Sequence, residues 1–299
     1  EYTKYYIYAF LVAIALTEVI SYLIWFEIIE EFMHAEINNP TPFMSHVSYN
    51  PFLAFAIYLA VHEMLLNKKL SKLMLWLYSF FSVIMVINMF ITGGRAGQVM
   101  FFAMIAILIF QYFEGQRIKA LIVSLILIFG VSITAYQASP LFKQRVDKVI
   151  DEIVNYDQDT VALYHQSSTG LRILFMSNSW EIIQENPLLG VGTGDFPHEY
   201  KKISIPSSPG GPYAENPHNM YILVLAQLGI VGLLSMLSIF YYQIKLSFNS
   251  PNRFTKDFSI AFPLLFLLMM LSDSYLLGHY TGLLFVFFSS FLYKDFEKS

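Results

Sequence analysis

The sequence contains no cysteine and few charged residues, and both shortages narrow the kind of protein that it encodes. Without cysteine there is no disulfide framework and no thiolate ligand for a metal. Only 13% of the residues are charged, whereas an ordinary soluble domain has about 25%. The net charge is −4 and no basic stripe is present, so no nucleic-acid partner is expected. Walker loops, nucleophile elbows, dinucleotide fingerprints and zinc spacings are also missing, and neither a cofactor nor a metal is expected.

Hydrophobic residues make up 56% of the chain and gather in long runs. A helix needs about 20 apolar residues to cross a bilayer core. We therefore predict an all-α, polytopic membrane helix bundle with spans at about residues 5–28, 51–66, 73–91, 98–113, 120–137, 219–241, 258–272 and 280–293. The sequence begins at Glu1 and shows no pattern of a cleavable signal peptide, so we expect it to be a fragment with further helices upstream.

Lysine and arginine are distributed unevenly among the short loops, which predicts the orientation of the spans. If the spans alternate, one side is basic and is predicted to be cytoplasmic, whereas the short loops of the other side hold only Arg95. The basic side carries Lys68, Lys69, Lys72, Arg117, Lys119, Lys245, Arg253, Lys256, Lys294 and Lys298. We predict five spans in residues 1–137, an external loop domain in residues 138–217 and three spans in residues 218–299.

The external loop domain is predicted to contain two amphipathic helices. Apolar residues recur at helical spacing in PLFKQRVDKVIDEIVNY and again in LRILFMSNSWEIIQE, which Pro187 brings to an end. A Gly/Pro-rich tail follows, and the whole is expected to form a cap at the membrane surface. The Asp157-Gln158-Asp159 triplet matches a nucleotide-sugar metal motif, but it faces outside, where such sugars are not available, and such short matches are frequent.

Arg95 lies in the short TGGRAGQ connection between the third and fourth predicted spans. A guanidinium this close to hydrocarbon is costly and usually has an anionic partner. The neighbouring glycines would let a phosphate approach the backbone, and the next helix N-terminus would add amide donors. Arginine also binds phosphate bidentately, so we predict a phosphate site. The alternative is an interfacial arginine that extends to lipid headgroups.

His218 lies in the sequence NPHN, directly before an apolar run that starts at Met220. Imidazole titrates near neutral pH, so His218 could act as a general base at the mouth of a membrane helix. The alternative is a turn whose ring caps that helix. Arg172 begins the second external helix, where a solvated or salt-bridged role is the alternative to anion binding.

Several other polar residues fall at the same outer level in this topology. They are His34, His46, Asp273 and His279, of which His46 and His279 are secondary candidates for the site. Glu18 lies inside the first predicted span. A carboxylate at that depth is expected to be functional, unless it pairs with a helix upstream.

Three pieces of this sequence carry a family resemblance. They are TGGRAGQ, the block STGLR…WEIIQENPLLGVGTGDFPHEY, and PHNMYILVLAQLGIVGLL. In these pieces, and in its order of helices and long outer loop, the chain resembles the O-antigen ligase and polymerase superfamily of bacterial envelope glycosyltransferases. The family often has Ser-Arg-Gly where this chain has Gly94-Arg95-Ala96.

The resemblance implies a GT-C-like, metal-independent transferase in the bacterial inner membrane whose active site faces the periplasm. Such enzymes move a preassembled glycan from undecaprenyl pyrophosphate to an acceptor, here the lipid A core or another glycan. By motif, Arg95 and Arg172 would bind the pyrophosphate, and His218 would activate the acceptor hydroxyl. The external loop domain would then be a periplasmic loop domain.

Ligase activity is the main prediction, and three alternatives stay open. An O-antigen polymerase or a protein O-oligosaccharyltransferase would use the same donor and differ in the acceptor. A transporter of the lipid-linked glycan belongs to another class, and it would be expected to show internal repeats and broken midplane helices. No repeat is apparent, which favours an enzyme.

Overall fold

The computed structural model describes residues 3–33, 35–154, 168–207, 214–250 and 252–293. Within these ranges the chain forms eleven α-helices and no β-strand, which confirms the predicted all-α fold. The helices are α1 (Thr3–Trp25), α2 (His46–Leu66), α3 (Lys72–Ile91), α4 (Arg95–Tyr112), α5 (Arg117–Ala138), α6 (Pro140–Val154), α7 (Ser168–Glu185), α8 (Phe196–Ser207), α9 (Met220–Ser247), α10 (Arg253–Met269) and α11 (His279–Leu292).

Five of these helices, α1, α2, α3, α5 and α9, are long and apolar enough to cross a membrane. A 20-residue helix is about 30 Å long, which matches the hydrocarbon core of a bilayer. Two more helices, α4 and α11, are apolar but shorter. Each of the eight predicted spans coincides with one helix, and the chain is a polytopic membrane protein.

The segment between α5 and α9 contains the two helices predicted from periodicity, α6 and α7. The second ends at Glu185, two residues before Pro187, as the missing amide of proline requires. A third helix, α8, occupies part of what the sequence indicated as an irregular tail. The Asp157-Gln158-Asp159 triplet lies outside the described residues.

The chain divides into two compact units, and each is described by itself. The first comprises Glu1–Val154 and Pro251–Leu265, with α2 as its central helix, buried along most of its length. Aromatic side chains line this helix, and Phe55 stacks on Phe258 with 5.5 Å between ring centroids. Helices α2 and α4 approach closely because Gly97 has no side chain where Asn50 of α2 lies.

The second unit comprises Asn155–Ser250 and Phe266–Ser299, and its longest helix, α9, is broken at Gly229. Gly229 has φ 62° and ψ −164°, a conformation that is essentially restricted to glycine. The segment 187–192 fills the break. Backbone amides of Val191 and Gly192 donate to the carbonyls of Ala226 and Gln227, each at 2.9 Å.

Two amides that the break in α9 frees donate to the same segment. The amide of Ile230 donates to the carbonyl of Pro187 at 2.9 Å, and the amide of Val231 donates to that of Leu188 at 3.4 Å. The backbones approach so closely that a Cβ on Gly229 would collide with the Leu188 carbonyl group. The connection between α7 and α8 is therefore locked into α9.

Candidate active site

His218 has an unusual backbone conformation just before α9. Its φ is 51°, in the left-handed region that few residues other than glycine, asparagine and histidine adopt. The turn is held by the His218 amide, which donates to Oδ1 of Asn216 at 2.8 Å. Asn219 then caps α9, accepting from the amides of Tyr221 and Ile222 at 3.0 and 3.2 Å. Helix capping is therefore the role of Asn219, and the His218 ring is not needed for it.

The segment that follows α10 runs beside this turn and is bonded to it. Nδ2 of Asn219 donates to the carbonyl of Leu271 at 3.1 Å. The amide of Met220 donates to the carbonyl of Met270 at 2.9 Å. These bonds fix the start of α9 against the loop that carries Asp273.

Asp273 pairs with His218, with 3.2 Å between Oδ1 and Nδ1. The same oxygen accepts from the amide of Ser274 at 2.7 Å. Burial raises the pKa of the Asp273 carboxyl. Hydrogen bonds from His218 and Ser274, together with electrostatic interactions with His218 and Arg172, lower it by more, so the net pKa lies below its usual value. Asp273 is therefore an anion at neutral pH.

Helix α7 supplies the other side of the site. The ring of Phe175 stacks on that of His218 at 6.0 Å between centroids, with 25° between the planes. Arg172 lies one turn earlier on α7 and so shares the face of Phe175. Its charge acts on Asp273 and on Tyr275, whose pKa burial raises to about 12. The structure thus brings Arg172, His218 and Asp273 into one electrostatic cluster.

The position of Phe175 is itself fixed by packing within the second unit. Its ring meets that of Tyr200 of α8 at 5.9 Å in an edge-to-face contact. The Tyr200 hydroxyl accepts from Nδ2 of Asn178 at 3.1 Å. Both side chains are buried, so α7 and α8 form a small core behind the site.

The His218–Asp273 pair has the arrangement of a general base with an orienting carboxylate. A carboxylate accepts, so Nδ1 must donate the proton of this bond, which leaves the lone pair on Nε2. The His218 side chain is 38% exposed and Asp273 is 21% exposed, so the ring can be reached from solvent. The ring can take a proton at Nε2, and the carboxylate stabilises the resulting cation.

Arg95 belongs to the first unit and is the first residue of α4. The helix is preceded by Gly94 with φ 114°, which has no side chain to cap the first amides. The predicted helix N-terminus beside Arg95 is thus present, with amide groups able to face an anion. Side chains at Gly94 and Gly97 would meet Asn50 of α2, so these two glycines allow α2 and the start of α4 to approach closely.

The secondary candidates lie at helix starts. His46 is the first residue of α2, and its Nδ1 lies 3.1 Å from Nδ2 of Asn39. His279 is the first residue of α11, exposed and in edge-to-face contact with Tyr280 at 5.3 Å. His34 lies outside the described residues.

The sequence pattern placed Asp273 at the outer level but did not pair it with His218, and it indicated Phe175 only as an apolar helix residue, not as part of the site. The two pairings join residues 55 and 43 positions apart along the chain. Neither pairing is indicated by residues that are close in the sequence, except that Phe175 lies one helical turn after Arg172.

Comparison with known proteins gives two findings. A Haemophilus influenzae protein described as uncharacterized is 26% identical over 212 residues, which cover 68% of this chain and 51% of that protein. The chain thus spans about half the length of this curated relative. A sequence model of the O-antigen ligase family matches residues 80–237, slightly more than half of the chain, including Arg95, Arg172 and His218. The chain therefore belongs to the O-antigen ligase family.

Proposed function

We propose that the protein is a membrane glycosyltransferase of the ligase type. It would move a preassembled glycan from undecaprenyl pyrophosphate to the lipid A core at the periplasmic face of the inner membrane. Family membership supports the reaction class. The donor, acceptor and compartment are our proposal, and so is independence from metal ions.

The observation that carries this proposal is the His218–Asp273 pair at the start of α9, with Arg172 in electrostatic reach. A transfer from a lipid pyrophosphate needs a base for the acceptor and positive charge for the leaving group. His218 offers the base and Arg172 the charge.

In the proposed step, Nε2 of His218 takes the proton of the acceptor hydroxyl while the hydroxyl oxygen bonds to the anomeric carbon of the glycan. The bond between that carbon and the pyrophosphate oxygen breaks, and its electron pair leaves with the lipid pyrophosphate. Asp273 holds the ring orientation and stabilises the cation that forms. Arg172, and Arg95 by the family resemblance, bind the anionic pyrophosphate.

Substitutions at His218 test the base. Because positioned bases typically contribute about 10²- to 10⁴-fold in rate, His218→Ala should lose at least about a hundredfold in glycan transfer. His218→Gln keeps hydrogen bonding but cannot accept a proton near neutral pH, and it should lose as much. His198→Gln is the matched control, since His198 is exposed and pairs only weakly with the adjacent Glu199. If His218→Gln transfers glycan at a near-normal rate, His218 has a structural role and is not the base.

Asp273→Asn tests whether the carboxylate orients the ring. It should lower the turnover number with little change in donor binding, because the arginines that bind pyrophosphate remain. If Asp273→Asn transfers glycan at the wild-type rate, Asp273 plays no part in orienting the base.

A gene deletion followed by lipopolysaccharide electrophoresis distinguishes the acceptors. Bare core with long glycan left on the carrier indicates a ligase, and core with a single repeat indicates a polymerase. Unchanged lipopolysaccharide with lost glycoprotein indicates a protein oligosaccharyltransferase.

A transporter would be expected to have broken midplane helices, and α9 is broken at Gly229. However, residues 187–192 of the chain itself form backbone hydrogen bonds with α9 at this break. The break is thus closed by backbone hydrogen bonds within the chain, which favours the transferase over a transporter.

A further inference from the structure

The turn that precedes α4 is held by side chains that lie far from it in the sequence. The backbone amide of Gly93 donates to Oδ1 of Asn39 at 2.6 Å. The backbone carbonyl of Gly93 accepts from Nδ2 of Asn50. Both polar backbone groups of this glycine are therefore bonded to side chains, which belong to residues 54 and 43 positions earlier in the chain.

Asn50 of α2 makes a second bond to the same turn and is fully buried. Its Oδ1 accepts from Oγ1 of Thr92 at 2.9 Å. The Thr92 hydroxyl also lies 2.9 Å from the backbone carbonyl of Asn88 in α3. The donor and the acceptor of one buried amide thus both bond to the turn. A displaced turn would leave these groups unpaired away from water, which is costly, so the bonds fix its path.

Asn39 connects the turn to the start of α2. Because its Oδ1 accepts from Gly93, its Nδ2 is left for another partner, and this atom lies 3.1 Å from Nδ1 of His46, the first residue of α2. The backbone of Asn39 is held locally, since its amide donates to the carbonyl of Glu36 at 2.9 Å. The Asn39 side chain therefore bridges the beginnings of α2 and α4.

Gly94 leads from this turn into α4 in a left-handed conformation, with φ 114° and ψ 79°. Glycine adopts such a conformation without steric cost. A side chain at this position would meet Asn50 and the backbone carbonyl of His46. With Gly93 bonded on both sides and Gly94 packed against α2, the start of α4 has a defined place relative to α2. Arg95 is the first residue of that helix.

We propose that Asn50 and Asn39 are positioning residues for Arg95. The inference rests on the proposed binding of pyrophosphate by Arg95, and both asparagines act through the turn of Thr92, Gly93 and Gly94. A bidentate contact between a guanidinium and a phosphate depends on geometry as well as on charge. Such a contact needs a supporting shell of hydrogen bonds, since a displacement of about 1 Å can cost a site about a hundredfold.

Binding of undecaprenyl pyrophosphate to the purified full chain in detergent tests this role in a double-mutant cycle. Arg95→Lys should weaken binding about tenfold or more, because it loses a charge-assisted hydrogen bond. Asn50→Ala should weaken binding at least about threefold in the wild-type chain. In the Arg95→Lys chain it should have less than about a twofold effect, because the contact that Asn50 positions is already lost.

Gln111→Ala is the matched control for the cycle. Gln111 joins α4 to α2 at the other end of the helix, where it accepts from the Tyr58 hydroxyl at 2.8 Å. It lies about 24 Å along α4 from Arg95. Any effect of Gln111→Ala on binding should be the same in both chains, within about twofold, because distant and independent sites are additive.

Hydrogen exchange measures the turn directly and needs no ligand. Exchange in the peptide of residues 92–97 should be faster in Asn50→Ala and in Asn39→Ala than in wild type, and unchanged in Gln111→Ala. If Asn50→Ala does not fold, Asn39→Ala replaces it in the cycle, since Asn39 is only half-buried.

The outcomes separate this inference from the proposed function. Unchanged exchange in both asparagine variants overturns the positioning role. So does an equal effect of Asn50→Ala in the two chains when Arg95→Lys itself weakens binding, a result that leaves the pyrophosphate contact intact. Wild-type binding by Arg95→Lys refutes the pyrophosphate contact, and the positioning role falls with it.

Discussion

Gly229→Ala is expected to destabilise the protein strongly, because Gly229 combines a glycine-only backbone conformation with a backbone contact. Holding alanine at φ 62° and ψ −164° costs about 1–3 kcal/mol. The added methyl group collides with the carbonyl of Leu188, and overpacking of this kind costs about 1–3 kcal/mol more. The two contributions together amount to about 2–6 kcal/mol.

The helix could relieve this strain by releasing the segment 187–192, but the cost would be similar. Four backbone hydrogen bonds join that segment to α9, from Val191, Gly192, Ile230 and Val231. Each contributes about 0.5–1.5 kcal/mol, so their loss again costs about 2–6 kcal/mol. Neither route avoids the penalty.

The assay is thermal unfolding of the purified protein in detergent, followed by size-exclusion chromatography with fluorescence detection. A loss of this size should lower the melting temperature by about 3–10 °C. Gly130→Ala is the matched control, because Gly130 lies in a membrane helix with nothing within 4 Å of the added Cβ. A melting temperature for Gly229→Ala within about 1 °C of the control would refute the backbone lock between α9 and residues 187–192.

Three further predictions concern charge and topology. Folding lowers the pKa of Asp273, so its contribution to stability is present above the unfolded pKa of 3.8 and is lost as the pH falls through the folded pKa. The difference in melting temperature between wild type and Asp273→Asn should therefore shrink as the pH falls below 3.8. A constant difference down to about pH 2 would contradict this. Arg95→Lys keeps the charge but loses the bidentate fork, so glycan transfer should fall strongly while melting is unchanged, and wild-type transfer would favour lipid-headgroup contact instead. In this cysteine-free chain, a membrane-impermeant thiol reagent applied to spheroplasts should label Lys202→Cys and not Lys69→Cys, and the reverse pattern would invert the topology.

The positions of the helices could be predicted because their causes are local. In lipid, the backbone of a long apolar run must find its hydrogen-bond partners within the protein, and a helix provides them within a single run. The predicted spans therefore coincide with α1–α5 and α9–α11. The end of α7 could be predicted in the same way, because Pro187 has no backbone amide to continue the helix. By contrast, α8 was missed, because its short and weakly apolar sequence is stabilised by packing of Phe196 and Tyr200.

The candidate site could be predicted only in part. His218 stands out from the sequence because an ionisable ring directly precedes an apolar run, and Arg172 because it begins a periodic segment. Their partners could not be assigned, since Asp273 is 55 residues from His218 and any of several outer-level residues could have met it. The glycines beside Arg95 were predicted to admit a phosphate, and this stays a prediction. The structure adds that Asn50 packs against Gly94 and Gly97, a contact that no local pattern indicates.

By itself, the sequence determined that this chain is a membrane protein, where its helices lie, and which motifs place it near the O-antigen ligases. These properties depend on composition and on short segments, whose physical preferences act without distant contacts. Only the tertiary structure decided that His218 adopts a left-handed turn against Asp273, that Gly229 opens α9 for another segment, and that Glu18 is buried with no hydrogen-bond partner among the described residues. These features arise where distant segments meet, and their energies depend on distances that no local pattern encodes.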